Sequence, residues 1–373
     1  MKWFRLGIAF AFASGCAGRP GPEPAHPVIV VPPTVVTPND DETPAQKFER
    51  AHALLVDGKG REAAELFDRV ARDASAGAIA PLASFNAGVA WEQAGDREAA
   101  LARFRAAADR HPEGDVGKWA AIRASRLHAY LEQWSPLSAM SDLLLARSDL
   151  TDIEKLEAYG AKALAVVEAG DPDAADKFIA KGRDIIDALR LGEGGKLPLE
   201  VAQIHFALGE VRRVRGEAIV FVPLPPNFAD ALERRCQLLL DAQSAYSDAM
   251  RSYDAHWAAM GGYRVGQLYQ RLHQDVMSIP APRSAGTTSD KRLFEGAMRL
   301  RYRVLLEKGL KLMEHTVMIG DRTGEASAWI DRARAAKREI ELALVEEKER
   351  LARLPYTEKE LQKALDDLAA SRP

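Results

Sequence analysis

Residues 81–112 read PLASFNAGVAWEQAGDREAALARFRAAADRHP. Two amphipathic helical patterns meet here at a hinge, Gly95-Asp96. Gly88 and Ala100 are small where two such helices would cross, and Trp91 and Phe104 supply bulk between them. Pro112, directly after His111, stops the second helix. A helix pair this short cannot bury its own apolar face, so it must stack on neighbours.

These residues resemble the tetratricopeptide (TPR) repeat. Its pattern asks for a small residue at position 8, an aromatic at 11, Gly at 15, Ala at 20, an aromatic at 24, Ala at 27 and Pro at 32. Counted from Pro81, the chain supplies Gly88, Trp91, Gly95, Ala100, Phe104, Ala107 and Pro112. The resemblance implies an all-α superhelix whose first helices line a concave groove through positions 2, 5, 9, 12 and 13. In this unit those are Leu82, Phe85, Val89, Glu92 and Gln93; one unit earlier they include Phe48 and His52. That lining is mainly apolar and fits an extended or helical peptide with apolar anchors. The carboxylate-clamp members of the family need Lys, Asn, Asn, Lys and Arg at five positions. Phe48, His52, Asn86, Ala121 and Ser125 stand there, so that specificity is not expected.

Neighbouring units follow on both sides. From Ala45, the slots of Gly88, Trp91, Gly95, Ala100 and Phe104 are filled by Ala51, Leu54, Gly58, Ala63 and Phe67, at an offset of 37 residues. A third unit at an offset of 39 would use Leu127, Tyr130, Ala139, Leu143 and Ala146, with its turn at Trp134-Ser135-Pro136. A fourth turns at Gly170-Asp171-Pro172, with Ala163 and Ala175 at positions 8 and 20. Residues 45–190 therefore read as a TPR array. Gly192 to Pro198 interrupts it; the spacing around Lys196 is wrong for a phosphate loop, and a turn is expected.

Residues 199–354 read as a helical domain of longer hairpins. Gly209 and Gly216 sit at positions 8 and 15 of another first helix, but no second helix of the expected length follows; FVPLPPN comes instead. Helices are expected from about Phe228 to Tyr253 and from Ala255 to Met277, then to about Ile319 and from Glu325 to Arg353. Residues 355–373 form a capping helix and tail. The connector, AQSAYSDA, HWAAMGGYRVGQLYQ and the following APxP resemble the C-terminal half of envelope TPR proteins of gliding, predatory proteobacteria, some associated with motility machinery.

The N-terminus carries an address. Lys2 and Arg5 precede the apolar run Leu6 to Ala13, and Ala13-Ser14-Gly15 places small residues before Cys16. This is a secretory signal in outline, and its ending resembles a bacterial lipobox, with Ala where the pattern prefers Leu. The resemblance implies removal of residues 1–15, acylation of Cys16, and, since Ala17 and Gly18 lack the inner-membrane Asp, anchoring in the outer membrane on its periplasmic face or at the cell surface. Residues 16–44 would then be a Pro-rich tether, holding eight prolines between Pro20 and Pro44. Extended at about 3.1 Å per residue, it reaches roughly 85 Å.

Chemistry has little to stand on. Eight histidines form no HExxH or Cys/His cluster, and no serine sits in Gly-x-Ser-x-Gly. No catalytic residue, metal ligand or cofactor site is expected. Cys236, among Leu238, Leu239 and Leu240, reads as a small buried residue. A net charge of −3, with acids interleaved among the basic runs 299–303 and 332–339, does not suggest nucleic acid. The expectation is a non-enzymatic scaffold, lipid-anchored in the envelope and binding other envelope proteins or peptides through its groove. The alternative is a factor binding cell-wall glycan or assembling outer-membrane proteins, with Trp257 and Tyr263 as an aromatic platform.

Overall fold

The computed structural model describes residues 42–193, 197–282 and 285–370. Residues 1–41, which hold the expected signal, Cys16 and most of the expected tether, lie outside them. Among the described residues there are fourteen α-helices and no strand. None of these helices is long and apolar enough to cross a membrane.

Eight helices form four successive hairpins: α1 (Pro44–Val56) with α2 (Gly60–Arg72), α3 (Ile79–Gln93) with α4 (Arg97–Arg110), α5 (Asp115–Tyr130) with α6 (Trp134–Leu145), and α7 (Asp152–Glu168) with α8 (Pro172–Ala188). Caps fix their starts. Thr43 and Thr151 each form a reciprocal capping box, with Gln46 and Glu154, which satisfies orphan donors at the helix end. Asp96 and Asp171 accept hydrogen bonds from Ala99 and Ala174 at the starts of α4 and α8. In the second hairpin, a Cβ built on Gly88 would lie 2.6 Å from the Phe104 ring. Only glycine lets α3 and α4 approach that closely around a fully buried Phe104.

The third hairpin corrects the expected register. Its turn residue is Glu132, at φ 55°, standing where Gly58, Gly95 and Gly170 stand in the other three. Trp134, Ser135 and Pro136 belong to α6. The true offset is thus 37, which puts Ser125, Leu137, Ser141 and Leu144 in the packing slots, all buried. Leu143, expected in the core, is 66% exposed. A non-glycine residue in the left-handed region hid the turn.

The array also continues further than expected. α9 (Ala202–Glu217) packs on α7 and α8 as the next first helix, and α10 (Phe228–Met250) is its missing second helix. Tyr246 fills the space over Gly209, where a Cβ would lie 2.5 Å from its ring, as Phe104 does over Gly88. Ala242, Tyr246 and Ala249 repeat the Ala100, Phe104, Ala107 pattern and are likewise buried. Gly216 is no turn residue but lies inside α9. A long connector, rather than a lost helix, displaced the second half of this fifth hairpin.

The remaining helices are α11 (Ala255–Met277), α12 (Thr288–Thr323), α13 (Ala328–Ala352) and α14 (Glu358–Ala370). α12 runs past the expected end at Ile319 and stops at Gly324, which takes the left-handed conformation at φ 76°. One apolar core runs without a break from Phe85 in α3 to Trp329 and Ile330 in α13, so it crosses the segment between 190 and 199.

Candidate protein-interaction site

The first helices of successive hairpins are joined by ion pairs. Arg123 of α5 reaches Glu92 of α3 at 3.1 Å, and Arg126 of α5 reaches Glu157 of α7 at 2.8 Å. Arg126 and Glu157 are buried, so each needs the other: a buried charge without a partner is strongly destabilising. Gln93 donates its side-chain amide to the Leu55 carbonyl at 3.1 Å, tying the second hairpin to the first.

This geometry redistributes the residues expected to line a groove. Phe48 and Phe85 are 1% and 0% exposed. Phe48 packs edge-on against Phe67, and Phe85 against Phe104 and Trp119. Both are core residues and cannot touch a partner, because a hairpin of helices only 13–15 residues long needs its large side chains inside. His52, Leu82, Val89 and Glu92 are half-buried, and Gln93 is exposed. What remains reachable on α1 and α3 is therefore more polar than the expected apolar lining.

Further along, the chain covers the ends of its own first helices. Tyr130, at the end of α5, stacks on His256 at 4.1 Å and meets Trp257 edge-on at 5.5 Å. Trp257 also packs on Phe206 of α9 and is fully buried. Tyr263 packs on Trp329 at 5.6 Å. These aromatics are the joint between α11 and the array, which removes Trp257 from any exposed sugar-binding platform.

Two ionic clamps reinforce that joint. In the first, Glu325, between α12 and α13, accepts from Arg97 of α4 at 2.7 Å and pairs with His256 Nδ1 at 3.0 Å. Burial opposes the charge on Glu325, but the hydrogen bonds from His256 and Arg97 outweigh it and hold the carboxyl down to about 2. Arg332 of α13 meets Glu132 of the third turn at 2.8 Å. In the second clamp, Glu210 of α9 is completely buried and accepts from the Tyr246 hydroxyl at 2.8 Å. Arg213 and Arg264 surround it, each with a nitrogen at 2.7 Å. Their charges outweigh burial and hold Glu210 below the ordinary carboxylate range. Arg264 extends to Glu168 of α7 at 3.3 Å and lies over the Trp329 ring at 5.2 Å. Burial, then the neighbouring Glu210 charge, pushes Glu168 up to about 7. Nothing in the sequence spacing signals these pairs, since Arg97 and Glu325 are 228 residues apart.

Cys236 is half-buried against the core, and burial pushes its thiol up. Cys16 lies outside the described residues. Among the described residues, no group of three His, Cys, Asp or Glu side chains converges as a metal site would require.

No protein-family model matches this chain. No curated protein matches it either. Among solved structures, a tetratricopeptide repeat protein from Parabacteroides merdae aligns with 78% of this chain and 98% of its own length, at 12% identity and a TM-score of 0.41. The fold assignment rests on the hairpins themselves: short antiparallel helix pairs, stacked in order, with the small-over-aromatic crossing of Gly88 and Phe104.

Proposed function

We propose that this protein is a lipid-anchored scaffold of the bacterial envelope, which gathers other envelope proteins through a TPR-type helical stack and performs no chemistry of its own. The observation that carries the reading is the conjunction of the hairpin stack with Ala13-Ser14-Gly15-Cys16, which follows a basic and then apolar run of the secretory-signal pattern. Stacks of this kind present one long inner surface built from first helices, suited to a peptide or helix rather than a small molecule. On α1 and α3 that surface offers His52, Leu82, Val89, Glu92 and Gln93, so the partner segment is one with polar as well as apolar contacts. Several acyl chains on Cys16 would give stable anchoring, because each buried methylene adds about 0.8 kcal/mol. The outer membrane is the proposed site, and a motility or envelope-assembly complex the proposed setting.

Fractionation tests the anchor. Cys16→Ser is expected to move the protein from the membrane pellet to the soluble fraction. Continued sedimentation with membranes would refute the lipoprotein reading.

A further inference from the structure

The connector between α9 and α10 places three exposed large aliphatic side chains within five residues. From Ala218 to Ala229, AIVFVPLPPNFA, there is no charged side chain. Val220, Val222 and Leu224 are 61%, 53% and 50% exposed. Phe221 alternates with them and is buried, packing edge-on against Phe228 at 5.4 Å. The Phe221–Phe228 contact pins the segment to the core at both ends, so the three aliphatic side chains are held outward rather than left on a loose loop. The segment bends at Val222 and Pro223 and contains no helix or strand until α10 begins at Phe228. Beyond the hydrogen bonds from Ala218 N–H to Val214 and from Ile219 N–H to Gly216, its backbone through Pro226 makes no backbone hydrogen bond among the described residues.

Three kinds of surface could cover such a ribbon, and its chemistry separates them. A bilayer would strip water from unpaired backbone groups, at a cost of several kcal/mol each, and irregular backbone facing lipid does not occur. Addition to a sheet edge needs a run of N–H donors, but Pro223, Pro225 and Pro226 have none. A groove lined with aromatic rings suits it. Proline rings stack on aromatic faces and their fixed φ lowers the ordering cost, while donors from the groove satisfy the carbonyls. Pro223-Leu224-Pro225-Pro226 has the PxxP spacing that such grooves read.

We propose that residues 219–226 are a ligand ribbon for a partner protein carrying an aromatic-lined groove, with Val222 and Leu224 as aliphatic anchors and Pro223 and Pro226 against the rings. This contact lies three hairpins along the stack from α1–α4 and does not require their inner surface, so it stands or falls separately from the groove.

The test places a photo-crosslinking amino acid at position 224 of the full-length protein in its own cells, with position 342 as the control. Leu342 of α13 is an aliphatic residue at least as bare, 67% exposed. The expected result is a crosslink from 224, absent from 342, that maps to an aromatic residue of the partner. The purified partner should then bind the Pro223→Ala/Pro226→Ala double variant at least about tenfold more weakly, a loss of about 1.4 kcal/mol, with helicity unchanged. A peptide of sequence IVFVPLPPN should compete, and its scrambled version should not. Equal crosslinking from 342, a crosslink to lipid or to a strand edge, no crosslink from 224, or an unchanged affinity of the double variant would each overturn the proposal.

Discussion

The carboxylate pair Glu168 and Glu210 yields a stability effect whose sign and pH window follow from the structure. Glu168→Gln replaces a group that burial and the neighbouring carboxylate push up to about 7 from an ordinary 4.5. A carboxyl whose pKa is raised by folding binds a proton more tightly in the folded state. Wild-type stability therefore falls, on account of this group, as pH rises from about 4.5 to about 7, and is level above that. Glutamine keeps the shape and can still accept from Arg264, but it never ionises. Its advantage over wild type should grow across that window. At about 1.36 kcal/mol per unit, the full span comes to about 3 kcal/mol. Some of this will be lost to relaxation around Arg264, because the Glu168 side chain is 15% exposed. His128, His205 and His273 are all held below their ordinary value by burial, so they add pH dependence of the opposite sign. The quantity to read is therefore the difference between variant and wild type, not either curve alone. Thermal melts by circular dichroism at half-unit steps from pH 4.5 to 8 give it. A difference that stays flat, or shrinks with rising pH, would refute the placement of Glu168 beside Glu210.

Two further substitutions probe packing. Gly209→Ala puts a methyl group 2.5 Å from a Tyr246 ring that cannot swing away, because its hydroxyl is bonded to Glu210; a loss of about 2 kcal/mol is expected. Gly286→Ala, with nothing within 4 Å and no left-handed φ, should leave the melting temperature unchanged and serves as the control. Phe85→Ala should cost about 3–5 kcal/mol as a core truncation, lowering the melting temperature whether or not a partner is present. A neutral Phe85→Ala would return that residue to the groove.

Much of this architecture is legible in the sequence, for a physical reason. Gly88 under Phe104 does a job that only a small residue does, and Gly95 holds a left-handed turn that glycine favours, so their spacing defines a hairpin. The third hairpin blurs because Glu132 holds the left-handed turn that glycine holds elsewhere. The fifth blurs because the connector separates Gly209 from Tyr246, although Ala242, Tyr246 and Ala249 keep the spacing within their helix. The inner surface is harder to read. Position in a repeat says which way a side chain starts out, not what the next hairpin does to it. Phe48 and Phe85 turn inward to pack on Phe67 and Phe104 of their own second helices. The clamps at Glu325 and Arg264 join helices far apart in the chain, and no local pattern encodes them.

The central claim is that the array gathers envelope proteins, and affinity purification tests it most directly. Tagged full-length protein, mildly crosslinked and solubilised from envelopes, would be compared with a His52→Asp/Gln93→Lys variant by quantitative mass spectrometry. Neither position is in the core, but Gln93 gives up its bond to the Leu55 carbonyl, so circular dichroism first checks that the variant keeps its helicity. The account expects a reproducible set of envelope proteins with wild type that is depleted with the variant. A protein recovered alone, or with soluble proteins only, would contradict it.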